Sequence, residues 1–169
     1  MSPQSERELE NAQMNEIWII GTDPPCPRCA LMGKRVERFV QRYRMDVTVY
    51  HLSYDDPRIL TFGRLLGRIV GTAKHVAQVA GIQVDLEEIT RIMAIQTLKV
   101  AKEKGCRPDE VEPSDQWSPE LDQILKPCQD VASSSNYIMT PVLVVDGQIL
   151  WQGNVPTEER IAGLLNSLI

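Results

Sequence analysis

No apolar run in this chain approaches the roughly 18 residues that a helix needs to cross a bilayer, because Arg64, Arg68 and Lys74 break the most apolar helical stretch. A membrane span is not expected. An excess of cations is also missing: 18 Lys and Arg stand against 23 Asp and Glu, for a formal net charge of -5. With no basic stripe to neutralise phosphates, nucleic acid is excluded as a general partner. Cysteine is scarce, with four in 169 residues, too few for a scaffold that depends on disulfides. Residues 1–15 form a polar, partly acidic lead, not the basic start and apolar stretch of a secretory signal, so a cytoplasmic address is expected. Neither an internal repeat nor a low-complexity tract is present. What remains is 43% apolar and 24% charged, the composition of a packed unit with room for one sizeable core and an elaboration.

Glu16 to Gly21 is a short β-branched run that reads as a buried strand and stops at glycine. Thr22 to Pro25 is turn material, and Pro27 suits the first turn of a helix starting at about Cys26. Along that helix Cys29, Met32, Val36, Phe39, Val40 and Tyr43 make an apolar face opposite Lys34, Arg35, Glu37 and Arg38. Met45 to Leu52 reads as a second strand, with Val47, Val49 and His51 on one face and Thr48, Tyr50 and Leu52 on the other. Strand, helix and strand in this order imply a parallel βαβ unit with a right-handed crossover.

From 55 to 135 the signals are helical. Asp56-Pro57 opens a run through Ile59, Phe62, Leu65, Leu66, Ile69 and Val70, and Asp85 with Glu88 opens a long helix that stops at Gly105. After a connector over 107–117, Ser118-Pro119 starts a short third helix, and 133–136 is a return loop. Val142 to Val145, the turn Asp146-Gly147 and Gln148 to Trp151 make a hairpin, followed by a helix through Ile161, Leu164, Leu165 and Leu168. The predicted class is α/β. A four-stranded mixed sheet flanked by helices is built from 16–54 and 136–169, with an all-helical insertion over 55–135 between the βαβ and ββα halves.

Cys26-Pro27-Arg28-Cys29 follows the strand ending Ile19-Ile20-Gly21, and Thr140-Pro141 leads into Val142 to Gly147 and then Gly153-Asn154-Val155-Pro156. This conjunction resembles the thioredoxin superfamily, most closely the small thioredoxin-like redox-disulfide proteins. The likeness covers the outer portions of the chain, and the placement of the insertion is similar to that in the disulfide-oxidase branch. The resemblance implies a cis bond between Thr140 and Pro141, with the loop facing the dithiol. It also implies that the loop's backbone pairs with an extended substrate segment, which makes Thr140 and Pro141 substrate-binding candidates. Two features depart from the pattern: Asp23-Pro24-Pro25 lengthens the loop before Cys26, and the first strand has no acid to lie beneath the second cysteine. The proton acceptor for Cys29 is left unassigned.

At a helix start, two cysteines three residues apart come within disulfide reach while the first stays accessible. Cys26 is then the nucleophile and Cys29 the resolving thiol, in an active-site loop that includes Pro25, Pro27 and Arg28. The helix dipole, worth about 0.3–2 kcal/mol, and the Arg28 charge should both favour the Cys26 thiolate. The activity expected is thiol–disulfide oxidoreductase or redox relay, exchanging disulfides with protein disulfide or dithiol partners and an electron donor, with no cofactor. Two alternatives stay open. One is zinc, with Cys26 and Cys29 completed by Cys106, Cys128 or a histidine. The other is a non-catalytic interaction module in which helices around Leu65 and Ile92 meet a partner or a second copy in a homodimer. Cys106 and Cys128 read as unrelated free thiols, or as a second thiol pair. His51 reads as strand-edge packing and His75 as part of a solvated helix face. Trp18 and Trp151 read as sheet packing, and Asp55-Asp56 as helix capping.

Overall fold

The computed structural model describes residues 15–169. The polar lead expected over 1–15 lies outside the described residues, except for Asn15, which opens the first strand. Strand β1 (Asn15–Gly21), helix α1 (Pro27–Arg42) and strand β2 (Val47–Ser53) form the expected βαβ unit, with β1 and β2 parallel from Asn15↔Val47 to Gly21↔Ser53. Next come α2 (Pro57–Leu66), β3 (Ile69–Gly71), α3 (Ala73–Ala80), α4 (Leu86–Lys104) and α5 (Pro119–Ala132). Strands β4 (Tyr137–Met139), β5 (Val142–Val145) and β6 (Gln148–Gln152) and helix α6 (Glu158–Leu165) finish the chain. The main sheet runs β2-β1-β5-β6, with β5 antiparallel to both β1 and β6. This is a thioredoxin-like sheet in its order and directions.

Local chemistry explains most of the boundaries. Asp56, Asp85 and Thr157 each cap a helix by accepting a backbone N–H, and Gly105 closes α4 in the left-handed region at φ 65°. The hairpin turns on Asp146 and Gly147, at φ 48° and 80°, as a two-residue turn with both central residues left-handed requires. Asp146 also ties the turn to β1, since its Oδ1 accepts the Glu16 N–H at 2.8 Å. The insertion holds four α-helices rather than the three expected, α3 being the addition, and the last is longer than the sequence suggests: α5 runs 14 residues, with Pro127 inside it.

The sheet is covered on both faces. On one, Met32, Val36 and Phe39 of α1 and Ile161 and Leu165 of α6 pack on Ile17, Ile19, Leu143 and Val145. On the other, Ile59 and Phe62 of α2 meet Ile20, Leu52, Val142 and Val144. A third cluster joins α3 and α5 around Val76, Leu121, Leu125, Cys128 and Met139. The faces expected for β2 are observed, with Val47 and Val49 toward α1 and Tyr50 and Leu52 toward α2.

One stretch of the insertion departs from the all-helical expectation. Gly67, at φ 66°, ends α2. A Cβ at Gly63 would stand 2.7 Å from the Arg68 carbonyl oxygen, so glycine lets the chain fold back closely there. Residues 69–71 are therefore a strand, paired in parallel with Tyr137–Met139 in a separate two-stranded sheet. Leu65, Leu66 and Ile69, which had fitted a helical period, are exposed, whereas Val70 is buried against Ile138.

The two environments make different demands on stability. Leu143→Ala, at a fully buried position, should lower the unfolding free energy by about 2–5 kcal/mol. Leu65→Ala, where the side chain is 83% exposed, should stay within about 0.5 kcal/mol of the parent. Urea denaturation followed by tryptophan fluorescence measures both.

Candidate active site

Cys26 is the N-cap of α1, in extended conformation, and Pro27 is the first helical residue. Its Sγ takes the place that a serine or aspartate oxygen would fill, accepting the Cys29 N–H at 3.3 Å. The two Sγ atoms are 2.8 Å apart, and both cysteines are free thiols. Thr22 braces the loop: its Oγ1 accepts the Cys26 N–H at 2.9 Å and donates to the Pro24 carbonyl at 2.9 Å. The Asp23–Pro24 bond is cis, and residues 23–25, including Pro25, are exposed. A Cβ on Gly21 would lie 2.7 Å from the Cβ and Sγ of Cys29, so glycine at the end of β1 is what allows α1 to start so close to the sheet.

The sulfurs divide one proton between them. The hydrogen bond from Cys29 is the main reason that the Cys26 thiol is lowered from 9.0 to about 6; the Cys29 N–H, the Arg28 charge and Thr22 act in the same direction, against burial. The same bond, reinforced by burial, pushes Cys29 far above the ordinary thiol range. Cys26 is therefore a thiolate at neutral pH, and Cys29 keeps the proton.

Arg28 is not a free cation beside the thiols. It is 5% exposed, and its Nε donates to Asp122 Oδ1 at 2.6 Å. Its terminal nitrogens donate to the Thr140 carbonyl at 3.4 Å and to the Gly153 carbonyl. Asp122 Oδ2 accepts the Trp117 indole N–H and the Val155 N–H, both at 3.1 Å. This carboxylate thus joins α1, α5, the segment before α5 and the loop after β6. Sequence reasoning missed Asp122, since nothing local marks one acid on an amphipathic helix. Gly153 has φ 91°, and its N–H donates to the Pro141 carbonyl at 3.0 Å. The Gly153-to-Pro156 motif therefore works by offering backbone groups to Pro141, Arg28 and Asp122.

The Thr140–Pro141 bond is cis, and Arg28 brings this loop against the first turn of α1. Both residues are buried. The Thr140 N–H donates to the Gly71 carbonyl at 2.8 Å, and its own carbonyl faces Arg28. The strand-like pairing assigned to a substrate at Thr140 is thus made within the chain, because β3 has been delivered to that edge.

Cys106 and Cys128 are not brought together as a cluster. Cys106 is half-buried beside Val100, Ala101 and Val111, whereas Cys128 lies in the cluster between α3 and α5, where burial pushes its thiol up. Among the described residues, no group of three or more His, Cys, Asp or Glu side chains could hold a metal ion, so the ligands for the zinc alternative are not assembled there. His75 is not on a solvated face: its Nδ1 bonds the Thr72 cap at 3.0 Å, and its ring meets Tyr54 edge-on. No described helix is long and apolar enough to cross a membrane.

Sheet order and the placement of the dithiol define a thioredoxin-like fold with a CPRC motif at the start of its first helix. No family model matches the chain, and no curated protein matches it. Among solved structures, the oxidoreductase DsbA from Xylella fastidiosa is similar at 18% identity with a TM-score of 0.36, covering 92% of this chain and 86% of that one. What the chain does must be argued from its own dithiol.

The proton sharing gives the reduced protein a bell-shaped stability profile. The folded Cys26 pKa is depressed, so its contribution is lost as pH falls through about 6 and grows as pH rises toward 9.0. The folded Cys29 pKa is raised, so above the ordinary thiol range the folded state retains a proton that the unfolded chain releases, and stability falls again. The midpoint of urea denaturation under reducing conditions should therefore peak near pH 9, and Cys26→Ser should flatten the rise. For Asp122→Ala, which strands a buried guanidinium, the same assay should show a loss of about 3–5 kcal/mol.

Proposed function

We propose that the chain is a thiol–disulfide oxidoreductase working through Cys26 and Cys29. The observation that carries this reading is the pair of sulfurs 2.8 Å apart at the N-terminus of α1, with the half-buried one held as thiolate. The Cys26 thiolate attacks a partner disulfide, forming a mixed disulfide and releasing one partner thiolate. Cys29 then displaces the second partner sulfur, so that Cys26–Cys29 is oxidised by two electrons and the partner disulfide is reduced to two thiols. The N-cap position serves both steps. When a donor dithiol reduces the pair, it attacks Cys26 and displaces Cys29, and the N–H that supports the Cys26 thiolate then supports Cys26 as the sulfur released from the donor's mixed disulfide.

Protein disulfides are the substrate class in this reading, with a separate dithiol donor regenerating the pair and the reducing direction in a cytoplasmic setting. A partner disulfide approaches Cys26 across the exposed 23–25 turn. The Thr140 N–H is already given to the Gly71 carbonyl, so backbone pairing with a partner at Thr140 falls to the Thr140 carbonyl, which keeps a lone pair beside its 3.4 Å contact to Arg28.

A redox titration read by differential alkylation and mass spectrometry tests this. Cys26 and Cys29 should pass together through one reversible two-electron transition, while Cys106 and Cys128, alkylated after acid quenching and unfolding, are recovered as thiols throughout. Cys26→Ser should reduce disulfide reductase turnover to background, and Cys29→Ser should accumulate the mixed disulfide at Cys26. Failure of the pair to oxidise would remove the proposal.

A further inference from the structure

Resolution of the mixed disulfide requires Cys29, the sulfur that holds its proton most firmly, to lose it. No carboxylate of β1 lies beneath that sulfur, since the buried positions of β1 are Ile17, Ile19, Ile20 and Gly21. A cavity of about 220 Å³ does reach Cys29, and its lining includes that residue together with His51 and Ser53 of β2. Its volume admits bridging waters, which occupy roughly 30 Å³ each in the liquid.

His51 is laid along the redox helix. Cys29, Gly33 and Glu37 recur every four residues and so share one stripe of α1. A Cβ on Gly33 would stand 2.5 Å from the imidazole Cε1 and 3.1 Å from Nδ1, so the missing side chain makes the space that the ring occupies. At the far end of the stripe, Glu37 Oε1 lies 2.7 Å from His51 Nε2. A carboxylate there accepts the Nε2 proton and leaves the Nδ1 lone pair as the base. Strand β1 contributes only Ile19 opposite the histidine. The other titratable groups on this side are Asp23, which lines the cavity, and Asp55, which accepts a hydrogen bond from Ser53 at 2.5 Å.

We propose that His51, oriented by Glu37, accepts the Cys29 proton through this cavity when Cys29 resolves the mixed disulfide. The proposal rests on the thiol–disulfide reading above. In the step, the Cys29 S–H proton passes to the imidazole and the Cys29 thiolate attacks Cys26 Sγ. The Cys26–partner S–S bond breaks as the Cys26–Cys29 bond forms, and the partner leaves as a thiolate that is protonated by the imidazolium or by solvent.

The reaction of the reduced full chain, carrying Cys106→Ser and Cys128→Ser so that only the redox pair responds, with dithiobis(nitrobenzoate) separates the two events in a stopped-flow experiment. The first coloured thiolate reports attack by Cys26, and the second reports displacement by Cys29. In His51→Ala the second release should slow by roughly 100-fold or more at neutral pH, since general acid–base catalysis contributes about 10²- to 10⁴-fold, while the first keeps its parental rate. The deficit should shrink as pH rises and hydroxide takes over, and added imidazole should restore the rate; Glu37→Gln should show a smaller deficit of the same kind. His51 is about half exposed, and the unchanged first release is the control for folding. An unchanged second release in His51→Ala would overturn the assignment. So would a deficit that is constant with pH and insensitive to imidazole, or one produced by Asp23→Asn instead. Absence of any second release in the parent chain would defeat the thiol–disulfide reading itself, an outcome distinct from these.

Discussion

A guanidinium taken out of water costs several kcal/mol unless its charge and its N–H donors are matched where it is buried. Arg28, between the two cysteines, is in that position, and Asp122 on α5 is its match. The requirement organises much of what surrounds the dithiol. It draws the insertion onto the redox helix and engages the carbonyls of Thr140 and Gly153. The remaining oxygen of Asp122 fixes Trp117 and Val155. The cysteine loop, the Thr140–Pro141 loop and the loop after β6 are thus assembled around one charge pair.

With Arg28 committed inward, the thiolate depends chiefly on its own neighbour. Cys29 lends a hydrogen bond to Cys26 and gains a tightly held proton in return. Nucleophile and proton reservoir are therefore set by one geometry, the first turn of a helix that starts against Gly21. The arrangement also defines the difficulty that the second half of a disulfide exchange must overcome, because the better Cys29 supports Cys26, the harder Cys29 is to ionise. The insertion contributes in another way by pairing β3 beside the Thr140–Pro141 loop. The Thr140 N–H is taken here by the chain's own backbone.

Most of the elements were legible because their signals are short-range. Pro27 after an extended Cys26, Asp85 before Glu88, Asp146-Gly147 and the alternation in β2 each report local backbone chemistry, and each element stands where that chemistry places it. Ile69 and Val70 misled because they continue the helical spacing of Leu65 and Leu66, which do lie in α2. The break at Gly67 depends on the close return of Arg68 over Gly63, and the strand at 69–71 depends on a partner 68 residues away in Tyr137–Met139. Three-residue strands carry too little periodicity to be recognised alone.

Sequence by itself determined the dithiol, its place at a helix start, the order of the main elements and the turn chemistry, since these follow from neighbours within a few residues. Only the tertiary structure decided which acid meets Arg28, which histidine shares a cavity with Cys29, and what covers the Thr140 backbone. Asp122 is 94 residues from Arg28, and nothing in the local pattern ranks it above the chain's other acids. Burial makes such a pairing obligatory, and burial is a property of the folded chain.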